Sequence, residues 1–122
     1  MSKHPIVHIE FSTNDRERDA KFYSELFGWK FQQDTEMNYA TFEAEGGPGG
    51  GLNPVSENNP AGNVAVYINS DDIDATLARA EELGGKVAVP RSEIPGFGYF
   101  AIFSDLTGNM VGLFEPLPET PE

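Results

Sequence analysis

Hydrophobic and polar positions along this chain follow two different periods in turn, and the same succession occurs twice. Val7, Ile9 and Phe11 alternate with His8, Glu10 and Ser12, the period of two that sets successive side chains on opposite faces of a strand. Phe22, Tyr23, Leu26 and Phe27 then recur at helical spacing, with most of the charge elsewhere around the turn. Asn14 is placed to cap that helix, with Glu17 at the far end of a capping box, and Gly28 ends it. Trp29–Gln33 and Tyr39–Ala44 read as short strands about a polar turn, and Leu52–Val55 as a fourth. The run Gly46-Gly47-Pro48-Gly49-Gly50-Gly51 lacks the Lys and Ser/Thr of a phosphate loop. It predicts a flexible turn or a lid over a cavity.

From Ala65 the plan returns without a gap: Ala65 falls on His8, Asp72 on Asp15, Leu83 on Leu26 and Gly85 on Gly28. Val64–Asn69 is the strand, and Ser70, Asp71 and Asp72 supply capping groups. Ile73, Leu77, Ala80 and Leu83 form the helical stripe that Gly84-Gly85 closes. Lys86–Val89, Tyr99–Ser104 and Met110–Glu115 read as strands, with Pro90–Gly98 an aperiodic loop and Asp105–Asn109 a turn. Each half is therefore βαβββ, and the fold class is α+β. We expect one domain over 1–122, with modules at 6–55 and 63–116, a linker at 56–62 and an unordered tail at 117–122. One helix per module covers one face of its sheet and leaves the other free to curl into a cup.

Twenty Asp and Glu against eight Lys and Arg give a net charge of −12. That excess opposes a nucleic-acid partner, which requires a basic surface, and an anionic membrane, which recruits polybasic segments. Cysteine is absent, so disulfides, thiolate nucleophiles and zinc–thiolate sites are excluded. The first residues lack the apolar run of a signal peptide, and no stretch has the length of a membrane span. The expectation is a cytoplasmic protein.

The strand carrying His8 leads into Asp15-Arg16, then Phe22-Tyr23, Leu26-Phe27-Gly28-Trp29, Asp71-Asp72-Ile73-Asp74-Ala75 and Leu83-Gly84-Gly85. Together with Phe103-Ser104-Asp105-Leu106-Thr107-Gly108-Asn109, this order resembles the vicinal oxygen chelate superfamily: glyoxalase I, bleomycin-resistance proteins and extradiol dioxygenases. The resemblance implies eight-stranded cups, commonly in homodimers, and in the enzymes a divalent metal held by side chains of each module's first and last strands. Carried over by position, only His8 keeps a donor. Ala65, Gly51 and Gly112 stand at the other ligand positions, with Asn53 the nearest inward alternative to Gly51. Alternation from Gly112 sends Glu115 to the opposite face. A lone imidazole does not build a metal site, so no cofactor is expected.

By alternation the cup presents His8, Glu10, Ser12, Ala65, Tyr67, Gly112 and Phe114. We take His8, Glu10, Ser12, Asn53, Tyr67 and Phe114 as the ligand-binding set. His8 and Glu10, about 7 Å apart along one strand face, are within reach of pairing, but the preferred reading has His8 bonded to another neighbour and Glu10 wetted at the rim. Trp29, Phe27, Phe22 and Tyr23 are expected in the helix–sheet core, and Phe97 and Tyr99 over the cavity or at a dimer seam. The leading reading is a metal-independent protein binding a small organic molecule. The alternatives are a metal-dependent lyase, isomerase or dioxygenase-like enzyme using His8, and a structural or regulatory partner with a vestigial cup.

Overall fold

The computed structural model describes residues 3–57 and 59–118; the end of the expected tail, 119–122, lies outside them. The element order is β1 (Ile6–Thr13), α1 (Arg16–Phe27), β2 (Lys30–Asp34), β3 (Tyr39–Glu43), β4 (Gly49–Pro54), β5 (Val64–Asn69), α2 (Ile73–Glu82), β6 (Lys86–Ile94), β7 (Gly98–Ser104) and β8 (Met110–Pro116). The fold is thus α+β and the βαβββ plan occurs twice. Among the described residues no helix is long and apolar enough to cross a membrane. The chain divides into two compact units: Val7–Val66, and the remainder from Tyr67 onward with the chain start through Ile6.

Within the first unit β2 pairs antiparallel with β3, β3 antiparallel with β4, and β4 parallel with β1. The second unit repeats that connectivity: β6 and β7 are antiparallel, β7 and β8 antiparallel, and β8 runs parallel to β5. The registers correspond as well, since Glu10 lies level with Gly51 and Tyr67 level with Gly112.

The helix starts are duplicated in atomic detail. Asp15 caps α1 by accepting from the Arg18 N–H, and Asp72 caps α2 by accepting from the Ala75 N–H. One step earlier, Thr13 Oγ1 accepts from the Asp15 N–H and donates to Asp19 Oδ2 at 2.6 Å. Ser70 Oγ likewise accepts from the Asp72 N–H and bonds Thr76 Oγ1. Each helix thereby satisfies donors that its first turn leaves without intrahelical partners. Asn14 is not the cap the sequence suggests; its side chain accepts from Arg18 Nη2 instead. Gly28 ends α1 at φ 76, a left-handed conformation that costs glycine little.

The cores are small and separate. Ile73, Leu77, Ala101 and Leu113 are buried in the second unit, with Ile68, Val87, Tyr99 and Phe103 packed on them. Ala20, Ala40 and Leu52 are buried in the first, against Phe11, Tyr23 and Phe31. An aromatic stack extends that second cluster: Phe11 lies on Tyr23, and Trp29 lies on Phe42 with 4.4 Å between centroids and nearly parallel planes. The expected apolar face of α1 is only partly right. The helix turns Ala20 and Tyr23 to the sheet, where the small Ala20 permits close approach, and leaves Phe22, Leu26 and Phe27 more than half exposed.

Two loop expectations are also overturned. The glycine run is turn only over 46–48 and strand from Gly49, where β4 begins; a side chain on Gly50 would meet the Ile9 carbonyl and the Phe42 ring. Only close approach between neighbouring strands demands glycine there. The stretch 90–98 is not an open loop either: β6 continues through Ile94, with register shifts between Val87 and Val89 and between Val89 and Ser92. Such bulges break the alternation that marks a strand in sequence.

A candidate functional site on strands β1, β3 and β4

Strand alternation places His8 and Glu10 on one face of β1, and the parallel register brings β4 alongside with Gly51 level with Glu10. Antiparallel pairing of Thr41 with Gly51 then sets Tyr39, two residues before Thr41, diagonally across that glycine. A side chain on Gly51 would overlap the Tyr39 hydroxyl and ring, so the missing side chain lets Tyr39 reach over β4 to β1. His8 Nε2 lies 3.2 Å from Glu10 Oε2 and 2.8 Å from Tyr39 Oη. Tyr39 donates to Glu10 Oε2 at 2.7 Å, and Asn53 Nδ2 approaches Glu10 Oε1 at 3.4 Å. With the phenol proton directed to the carboxylate, the hydrogen of the short His8–Tyr39 contact comes from Nε2, which is the tautomer this network selects.

Three polar groups of different character thus converge: a carboxylate, a phenol that donates and accepts, and an imidazole. The His8 and Glu10 side chains keep 30% and 15% of their exposure, so the cluster is reachable yet partly screened from water. In a half-buried setting such hydrogen bonds fix orientation.

Of the ligand-binding set, His8, Glu10 and Asn53 are brought together. Ser12 is not with them. Its hydroxyl lies within hydrogen-bonding distance of Asn59 Oδ1 and the carbonyls of Pro60 and Asn63, where it anchors the linker. Tyr67 and Phe114 belong to the other unit, at β5 positions and β8 positions that run in parallel register. Tyr67 covers Gly112 as Tyr39 covers Gly51. Tyr39 is the member that sequence reasoning missed. Its signal was a glycine in line with an inward-facing pair and an aromatic residue on the adjacent strand.

Glu115, the carboxylate nearest in sequence to the last-strand ligand position, is engaged elsewhere. Its Oε1 accepts from the Ile73 N–H at 3.0 Å and its Oε2 from Arg91 Nη2 at 2.8 Å. The Arg91 hydrogen bond holds its carboxyl below the usual range against the opposing effect of burial, with the Ile73 N–H adding to the lowering. Arg91 also lies 3.6 Å over the Tyr99 ring, so Tyr99 supports this ion pair while Phe97 stays exposed.

The family's divalent metal does not fit these residues. Among the described residues no three His, Cys, Asp or Glu side chains converge, and both glycines at ligand positions are covered by tyrosine rings. Two open clefts lie outside the cluster. One of about 470 Å³ is lined by Thr13, Asn14, Asp15, Arg16 and Asn38; Thr13 and Asp15 are engaged in the α1 start, and Arg16 donates to Asn38 and Gln33. The other, about 510 Å³, lies along α2 and is mainly apolar, lined by Ala75, Ala80, Leu83, Phe103 and Leu106 with His4, Arg79 and Asp105 at its edge. The hydrogen-bonded cluster is the candidate site because a carboxylate, a phenol and an imidazole converge there.

Comparisons with known proteins agree on the architecture. A family model described as Glyoxalase/Bleomycin resistance protein/Dioxygenase superfamily matches residues 5–113. A Glyoxylase-like domain-containing protein of Didymella fabae is 37% identical over 85% of this chain and 88% of its own length. The Putative glyoxylase CFP32 of Mycobacterium bovis is 28% identical over 88% of this chain, which spans only 44% of that protein. Among solved structures, methylmalonyl-CoA epimerase from Mycobacterium tuberculosis superposes with a TM-score of 0.71 at 14% identity, over 97% of this chain and 93% of the other. At that identity the likeness concerns the fold alone.

Proposed function

We propose that this chain, which belongs to the Glyoxalase/Bleomycin resistance protein/Dioxygenase superfamily, is a metal-independent member that binds a small organic molecule. The observation that carries this reading is the Tyr39–His8–Glu10 network laid across Gly51. Where a chelating member would gather imidazole and carboxylate around an ion, this sheet face ties them together through a phenol. Such a face offers a guest directional hydrogen bonds and an aromatic edge, the usual composition of an organic-ligand site. The names of its relatives point to small-molecule chemistry, and we extend to this chain only that general class.

The test is metal content and thermal shift of untagged protein with Ni, Zn, Mn and Fe(II), followed by a thermal-shift screen of aromatic and polar organic compounds. We expect no metal near one per chain, and a compound whose affinity falls at least tenfold in Glu10→Gln and in His8→Ala. Stoichiometric metal lost on His8→Ala would overturn metal independence. Hits whose binding ignores both substitutions would remove the cluster from the site.

A further inference from the structure

We infer that the Tyr39 hydroxyl stands where a cation shared by His8 and Glu10 would stand, so that Tyr39 and Gly51 together commit this face to hydrogen bonding in place of chelation. The inference rests on the metal-independent reading above and adds its cause.

The geometry is specific. Tyr39 Oη lies 2.8 Å from His8 Nε2 and 2.7 Å from Glu10 Oε2, and those two atoms are 3.2 Å apart. A metal ion bridging the same pair would sit in the same wedge, closer in, at roughly 2.0–2.2 Å from each donor. The two occupants make opposite demands on the imidazole. An ion requires the Nε2 lone pair, whereas a phenol donating to the carboxylate accepts a hydrogen from Nε2. A neutral hydroxyl holds the pair together by giving a hydrogen to one partner and taking one from the other.

Gly51 completes the argument. It is level with Glu10 on the adjacent strand, and a Cβ there would overlap the hydroxyl and ring of Tyr39. A donor side chain at 51 therefore requires the Tyr39 ring to leave its present place. The two positions form one coupled feature. Removing the phenol and supplying a donor at 51 should bring three ligands together within this one unit: His8, Glu10 and the new side chain. Three convergent donors are the minimum for a defined Ni or Zn site.

The experiment is a Ni²⁺ titration by calorimetry on the full chain, with circular dichroism confirming each variant's fold. We compare wild type, Tyr39→Ala, Tyr39→Ala/Gly51→His, and the latter with His8→Ala added. The expected result is no saturable uptake by wild type and one Ni per chain in Tyr39→Ala/Gly51→His, at least about 100-fold tighter than the weakest binding the titration detects (about 2.7 kcal/mol by the relation of affinity to free energy). Adding His8→Ala should abolish that gain. Tyr39→Ala alone, with two donors, should show weak Ni uptake that wild type lacks and that His8→Ala removes, and it keeps the test decisive should the double variant not fold. Uptake no tighter than wild type in every folded Tyr39 variant overturns this inference and leaves metal independence standing. Stoichiometric uptake by wild type through His8 overturns both.

Discussion

Removing the Glu115 carboxylate would strand the first backbone N–H of α2 beneath a fully buried Ile73. A buried donor left unsatisfied costs about 1–3 kcal/mol, so Glu115→Ala should lower the unfolding free energy by that amount in denaturant titration. Glu115→Gln keeps an acceptor but not the charge, and it isolates the pH dependence. Because the folded carboxyl is held below the 4.5 of a free glutamate, its stabilisation is present above about pH 4.5. It is lost as pH falls through the lower folded value. Wild type and Glu115→Gln should differ in melting temperature at pH 7 and converge as pH falls below 4.5; a constant gap would show that the charge is not what matters. Legibility at this scale was uneven. The i, i+2 spacing of His8 and Glu10 was enough to put both on one strand face, but it favoured a Glu10 wetted at the rim over the contact with His8 that the structure shows. Tyr39 was hidden because its reach depends on the register of β3 on β4 and of β4 on β1, and no local period encodes either.

The glycine run shows what a local reading misses at the level of elements. Six residues rich in glycine look alike in sequence, yet Gly47 faces open space while Gly50 is wedged between Ile9 and Phe42. Gly47→Ala should therefore change stability by less than about 0.5 kcal/mol. Gly50→Ala, which forces backbone and a packed ring apart, should cost at least about 1–3 kcal/mol. Equal, small effects at both positions in denaturant titration would restore the flexible-lid reading. Helix and strand existence was legible throughout because periods of two and 3.6 are imposed by backbone geometry itself. The phase of α1 was less so. Phe22, Leu26 and Phe27 fit a helical stripe, but the sheet accepts the face carrying Ala20 and Tyr23, a choice made by how closely the helix can approach. The extension of β6 was masked by its two register shifts and by Pro90.

At the scale of the whole molecule, the repeat was the most legible feature because it is written in capping residues as well as apolar ones. Thr13 and Ser70, Asp15 and Asp72, and Asp19 and Thr76 play matching parts around the two helix starts. Each unit nevertheless keeps a core of only a few fully buried side chains, which makes the electrostatic background weigh heavily. Twelve more carboxylates than cations repel one another in the compact state more than in the expanded chain. Local pairs such as Arg91 with Glu115 act the other way, but they are few and short-ranged. Salt screens both, and the long-range repulsion loses more, since the Debye length shrinks from about 30 Å at 0.01 M to about 3 Å at 1 M. Stability should therefore rise with ionic strength. We expect the melting temperature at pH 7 to climb by several degrees between 10 mM and 500 mM NaCl, and the climb to shrink near pH 4.4, the isoelectric point. A flat or falling profile at pH 7 would mean that specific ion pairs, and not the net charge, dominate the electrostatics of this fold.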